Sequence, residues 1–228
     1  MTHIKDNLAA INLQISHACQ LANRSIDEVC LLAVSKTKSA ELIQQAYESG
    51  QRAFGESYIQ EAIEKIQQLA HLNDISWHFI GPIQSNKTRL IAENFSWVHS
   101  VDREKIIHRL NEQRSNQDTP LNVCLQVNIS DETAKSGINV NELVKYATLI
   151  EQCDHLTLRG LMAIPKKNDS QESFSKMAEL FTELKLRFPS VDTLSMGMSG
   201  DLSQAIANQS TMVRIGTAIF GEREIVKE

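Results

Sequence analysis

The chain has 228 residues, with 28 acidic against 23 basic, a formal net charge of −5 at pH 7, and 42% apolar and 22% charged residues. This balance excludes a largely disordered chain, and the lack of any basic stretch excludes the electrostatic footprint of a nucleic-acid binder. No apolar run approaches the roughly 18–20 residues of a membrane span, and the opening Met-Thr-His-Ile-Lys-Asp-Asn has no signal-peptide core, so a soluble, cytoplasmic protein is expected.

The first segment carries Ile4, Leu8, Ile11, Ile15, Ala18 and Ala22 at spacings of three and four, the apolar stripe of one helix. Val29 to Val34 follows as a short, almost wholly apolar run, the pattern of a parallel strand covered on both faces. Ser39 is placed to cap a helix through Tyr47 and Ser49, which Gly50 ends. Further strands are expected at Ala53–Gly55, Trp77–Ile80, Trp97–Val101 and Val123–Ile129, then at Leu156–Ile164, Thr193–Met198 and Met212–Phe220. Helices are expected between them, including Ile59–Leu69 (apolar at Ile59, Ala62, Ile63 and Ile66) and Phe174–Phe188 (Phe174, Met177, Phe181 and Leu184). Eight strands alternating with helices in 228 residues predict an α/β fold, a single (β/α)8 TIM barrel with an extra N-terminal helix. The prolines are dispersed, and Arg114–Thr119 reads as one solvated loop. Residues 1–228 are therefore expected to form one domain.

Cys19, Cys30, Cys124 and Cys153 show neither a CxxC pair nor zinc-finger spacing and are read as reduced. Cys30 and Cys124 lie in apolar strand-like runs, where free cysteine is a small buried hydrophobe. His99, Asp102 and Asp131 are too scattered for a metal site, and no metal is expected.

In such a barrel functional groups gather at the carboxyl ends of the strands. The first strand ends Val34-Ser35-Lys36-Thr37-Lys38, and strand alternation turns Lys36 inward at the mouth if Val34 is inward. Partial desolvation and the like charge of Lys38 would lower its pKa and leave more free amine to attack a carbonyl. The alternative is a strand-ending lysine with its ammonium in water. Ser195 to Gly200 and Val213 to Gly221 place small residues and hydroxyls after the seventh and eighth strands, with a helix starting near Asp201. A barrel phosphate site needs such residues, because backbone N–H groups must approach the anion closely. Tight turns and helix packing would use the same glycines. A mouth lysine beside a phosphate loop suggests a phosphorylated carbonyl compound, with pyridoxal 5′-phosphate the economical candidate.

Over almost its whole length the chain resembles the YggS/PROSC family of pyridoxal-phosphate-binding proteins. The matching segments begin with Ala33-Val34-Ser35-Lys36, Phe54-Gly55-Glu56-Ser57-Tyr58-Ile59-Gln60-Glu61 and Trp77-His78-Phe79-Ile80-Gly81-Pro82-Ile83-Gln84-Ser85-Asn86-Lys87. They continue with Ser100-Val101-Asp102, Val127-Asn128-Ile129, Lys135-Ser136-Gly137 and Arg159-Gly160-Leu161-Met162-Ala163-Ile164-Pro165. Leu194-Ser195-Met196-Gly197-Met198-Ser199 and Val213 to Gly221 complete the set. The resemblance implies a barrel like the N-terminal domain of alanine racemase, the fold-type III arrangement for this cofactor. It implies an internal aldimine on Lys36, phosphate contacts from Ser199, Gly216 and Thr217, and Arg214 facing the pyridine nitrogen. With Ser57 and Met198 these make up the candidate cofactor-binding set. Family members usually have Asn at the position of Ser57 and Asp at that of Gly200; Ser57 reaches less far, while Gly200 loosens the turn without removing a backbone donor.

Binding rather than turnover is expected. Arginine can only donate, so Arg214 would favour an unprotonated ring and a weak electron sink. Racemisation needs a base on each face of the α-carbon. The resemblance to alanine racemase supplies the second from a β-rich domain that does not follow the eighth strand here. Of Tyr47, Tyr58 and Tyr146, only Tyr58 falls near the mouth. The expected role is intracellular sequestration and supply of pyridoxal phosphate by a monomer, with cofactor-dependent apo-enzymes as recipients. A weak amino-acid racemase and a cofactor-sensing regulatory module are the alternatives. His78 is read as a hydrogen-bonded barrel residue, Lys87 as a surface residue or an attractor of the anionic cofactor, and Lys135 as a solvated loop lysine or a second attachment point.

Overall fold

The computed structural model describes residues 3–130, 136–165 and 170–222; Asp131 and Lys135 lie outside the described residues. The opening apolar stripe is one face of helix α1 (Ile4–Leu21), with Ile4, Leu8, Ile11, Ile15 and Ala18 buried and Ala22 at the C-cap. Eight parallel strands follow: β1 (Cys30–Val34), β2 (Ala53–Glu56), β3 (Ser76–Phe79), β4 (Trp97–Val101), β5 (Leu121–Gln126), β6 (Leu156–Met162), β7 (Thr193–Ser195) and β8 (Met212–Ile215). Each pairs with the next, and β8 pairs with β1 to close the barrel. Between and after them lie α2 (Ala40–Glu48), α3 (Ile59–Gln68), α4 (Thr88–Asn94), α5 (Glu104–Arg114), α6 (Leu143–Glu151), α7 (Ser170–Arg187), α8 (Leu202–Ala207) and α9 (Thr217–Phe220). The eight-stranded barrel and its extra N-terminal helix are therefore as expected. Helix α1 packs outside the ring against α8 and α9, and Asn7 Nδ2 donates to Ile219 O at 2.8 Å.

The near-continuous apolar runs are explained by burial on both faces of a closed sheet. Phe54, Val98, Val123, Leu161, Leu194 and Val213 are fully enclosed. Each such side chain contributes roughly 1.5–3 kcal/mol. Phe174, Met177, Phe181 and Leu184 of α7 are buried at the expected spacing. Among the described residues no helix is long and apolar enough to cross a membrane.

Five strands end earlier than expected, all at the carboxyl rim: β3 at Phe79, β5 at Gln126, β6 at Met162, β7 at Ser195 and β8 at Ile215. Residues beyond them stay apolar because they fold over the rim, as Val127, Ala163, Ile219 and Phe220 do while remaining buried. At β8 the Gly216 carbonyl accepts the N–H groups of Ile219 and Phe220, both at 2.9 Å, and converts the expected strand end into α9. Two polar expectations also change. Arg114 is not in a solvated loop but closes α5. Its guanidinium is buried against the carbonyls of Ala92 (2.6 Å), Phe95 (2.9 Å) and Thr119 (2.8 Å), satisfying a neighbouring helix end. Cys30 is exposed rather than buried, because it opens β1 on the amino-terminal side and lines a cleft there with His78 and Trp97.

Candidate functional site at the barrel mouth

Lys36 lies two residues beyond β1 and is half-buried; Ser57 directly follows β2. Met198 and Ser199 lie in the β7–α8 loop, Arg214 lies within β8, and Gly216 and Thr217 start α9. Since β7, β8, β1 and β2 are successive around the ring, the fold collects all seven onto one half of the carboxyl end. The join is close: a Cβ on Gly216 would stand 3.1 Å from Val34 O, so the β8 loop rests directly on the end of the strand that carries Lys36. Gly216 O takes the amides of Ile219 and Phe220, so the amides of Thr217 and Ala218 are the ones that the start of α9 leaves without a helical acceptor.

The β7 loop is shaped by Gly197, whose φ is +96° and whose Cβ would meet Ala205 Cβ at 2.5 Å. Only glycine tolerates that approach in that conformation. Asp201 closes the turn around Ser199 and Gly200, accepting from Met198 N–H at 2.6 Å and donating its own N–H to Met198 O at 3.1 Å. Arg214 N–H donates to Gly197 O at 3.0 Å and ties this loop to β8. Ser199 is exposed and also lines a cleft of about 350 Å³ toward Gln14 and His17 of α1. Met198 is exposed as well.

Arg214 is buried inside the ring. Its Nη1 donates to Ser195 O (2.6 Å) and Ser195 Oγ (2.8 Å), and its Nη2 to Ala163 O (2.9 Å). These bonds leave its Nε–H without a protein acceptor among the described residues. From Ser195 a hydrogen-bonded column runs toward the amino end: His99 Nδ1 to Ser195 Oγ at 2.9 Å, His99 Nε2 to His78 Nδ1 at 2.9 Å, and His78 Nε2 to Ser76 Oγ at 3.0 Å. Because arginine only donates, one assignment satisfies every atom: Ser195 passes its hydrogen to His99, His99 Nε2–H donates to His78, and His78 Nε2–H donates to Ser76. Both histidines are then neutral. Burial accordingly pushes His78 down to about 3. His99 is held well below its ordinary value by burial first, then by His78 and Arg214. Burial also lowers Arg214 to about 10, which leaves it cationic at neutral pH. His78 is thus the hydrogen-bonded barrel residue expected; the parts played by His99 and Ser195 were not anticipated.

A second missed cluster flanks Lys36 between β1, β2 and α3. Ser35 Oγ donates to Glu56 Oε1 at 2.6 Å, and Lys65 Nζ donates to Ser35 O at 2.8 Å, to Glu56 Oε1 at 2.9 Å and to Glu61. Glu56 is fully buried, and burial raises its carboxyl pKa against the opposing pull of Lys65 and Ser35. Elsewhere on the rim, a separate cleft of about 330 Å³ opens over β3 to β6, lined by Ile80, Ser100, Asp102, Asn128 and Ile164. None of the seven candidate residues lines it. Tyr58 is half exposed, whereas Tyr146 is buried and Tyr47 donates to Asp74 at 2.5 Å.

A closed parallel barrel with a lysine at the end of β1 and a glycine–hydroxyl loop after β8 defines a class of protein, and residues 7–224 match the family model described as "Alanine racemase, N-terminal domain". Curated relatives are closer. The chain is 54% identical over 231 residues to a pyridoxal phosphate homeostasis protein of Pasteurella multocida, covering 98% of this chain and 99% of the relative. It is 50% identical to the protein of the same name from Escherichia coli K12, covering 100% of both. Among solved structures, PipY of Synechococcus elongatus PCC7942, with PLP bound, superposes with a TM-score of 0.82 at 34% identity, covering 96% of this chain and 100% of PipY. The chain belongs to the pyridoxal phosphate homeostasis protein family.

Proposed function

We propose that the chain binds pyridoxal 5′-phosphate on the β7–β8–β1–β2 half of the mouth and serves as a carrier of the cofactor, not as a catalyst. One observation carries this reading: Gly216 rests against Val34 O, which sets a backbone-rich anion loop beside the strand end that presents Lys36. The names of the curated relatives and the PLP-bound state of PipY support the choice of cofactor. The residues present fit it: a primary amine, glycine backbone that a Cβ would crowd, and a buried cation with an unengaged Nε–H.

When bound, the cofactor supplies an aldehyde that condenses with a primary amine. Lys36 provides that amine. Ser199, Gly216 and Thr217 hold the phosphate through hydroxyl and backbone donors, with Met198 and Ser57 as flanking contacts. Arg214, fixed by Ser195 and Ala163, would face the ring with a group that can only donate, and so would not supply the ring proton that strong carbanion chemistry requires. Tyr58 and Met198 are exposed, which suits release to recipient apo-enzymes better than water-excluding chemistry.

Two assays test the reading together. Lys36→Ala should abolish covalent attachment of the cofactor while inorganic phosphate still competes for the site, since amine and anion loop lie on different strands. Purified protein loaded with cofactor should racemise amino acids no faster than free cofactor does. Racemisation well above that background would overturn the carrier reading.

A further inference from the structure

The buried cluster beside β1 does more than fill space under α3. Its bonds converge on the two residues that flank Lys36. Ser35 is held twice, its hydroxyl donating to Glu56 Oε1 at 2.6 Å and its carbonyl accepting from Lys65 Nζ at 2.8 Å. The same carbonyl accepts Lys38 N–H at 3.0 Å, closing a turn around Lys36. On the other side, Thr37 N–H donates to Glu61 Oε1 at 2.6 Å, and Thr37 stands at φ +64°. A non-glycine residue in that region is strained and persists only where its surroundings hold it. Lys65 joins both carboxylates and completes the loop of contacts.

A buried ion pair is weak evidence of stabilisation, because desolvating the charges offsets their attraction. Here the pair is not even fully satisfied: Glu56 Oε2 is buried with no hydrogen-bond partner in the structure. What the cluster does provide is a fixed backbone on each side of Lys36, anchored to β2 and α3. We propose that Glu56, Lys65 and Glu61 are positioning residues for Lys36, acting through Ser35 and Thr37 to set where its amine meets a carbonyl. This inference rests on the role proposed for Lys36. It adds three residues that lie outside the candidate set.

Two variants separate positioning from folding. Glu61→Ala removes the half-buried anchor of Thr37 and one partner of Lys65, which keeps its bonds to Glu56 and Ser35. The double change Glu56→Gln with Lys65→Met replaces the charged pair by neutral residues of similar size, a class of change that buried pairs often tolerate. Ligand-free and pyridoxal-phosphate-treated proteins would be compared by borohydride trapping with peptide mapping across pH, by competition with inorganic phosphate, and by NMR order parameters of the Lys36 side chain. Both variants should trap cofactor at Lys36 about tenfold more slowly, part of the roughly hundredfold that a misplacement of about 1 Å can cost. Their phosphate affinity should be unchanged and the Lys36 order parameters lower. Unchanged trapping and unchanged order in both variants would overturn the proposal. Wild-type label on some other lysine would instead defeat the cofactor reading, and the ligand-free order parameters would then decide positioning alone.

Discussion

Two buried polar clusters lie on opposite sides of the β-barrel wall, and they solve the problem of burial differently. Inside the ring, Ser76, His78, His99 and Ser195 form a neutral column that ends on Arg214, with a donor matched to an acceptor at every step. Outside it, Glu56, Lys65 and Glu61 form a charged cluster with one orphaned carboxylate oxygen. The first cluster sets a guanidinium beneath the mouth, and the second holds the backbone around a lysine at its rim. Neutral groups are spared the several kcal/mol that each buried ion loses on desolvation, but they are sensitive to protonation. A charged cluster fails when one partner is removed.

The largest expected effect comes from breaking the charged cluster. Lys65→Ala leaves two carboxylates uncompensated, one of them fully buried, and should cost about 3–5 kcal/mol in urea unfolding. The double change at Glu56 and Lys65 should cost far less. Equal losses in the two proteins would contradict the ion-pair account.

Acid should break the neutral column next. The folded state holds His78 near 3 against an ordinary 6.5, so the unfolded chain binds more protons across that interval. Stability is therefore complete above pH 6.5 and falls as pH drops toward 3, by about 1.4 kcal/mol per unit for this residue. His99 is lowered in the same direction and steepens the slope. Thermal unfolding as a function of pH should show this, and His78→Gln should flatten it.

Ser195→Ala strands His99 Nδ1 and one Arg214 hydrogen, a loss of about 1–3 kcal/mol. It should also change the absorption of bound cofactor, because it removes one of the three bonds that fix the guanidinium, whereas Glu61→Ala should leave the ring environment alone. Glu61→Ala is the smallest in stability, under about 1 kcal/mol for a half-buried partner. It should nonetheless slow attachment at Lys36. That contrast between small stability loss and large rate loss would be absent if the cluster were only structural.

The ring itself was legible because each strand is buried on two faces and writes an apolar run into the sequence. Its carboxyl rim was not, since Val127, Ala163 and Phe220 are apolar for covering the barrel, not for belonging to strands. The place of Lys36 at the mouth followed from strand alternation, and that of the glycines after β7 and β8 from the strand–helix pattern. Arg114 was misread because polarity alone marks a loop, while its burial depends on carbonyls of a distant helix end. Glu56 and Lys65 carried one faint signal, a carboxylate closing a buried strand and a lysine between Ile63 and Ile66 on an apolar helix face. Their meeting through Ser35 is a property of packing that no spacing rule contains.

The account stands or falls on Lys36. Purified protein incubated with pyridoxal 5′-phosphate, reduced with borohydride and mapped by peptide mass should carry the label on Lys36, with a visible absorption band that reduction removes. No band, or label distributed over surface lysines, would contradict it and leave the β7 and β8 loops to hold some other anion.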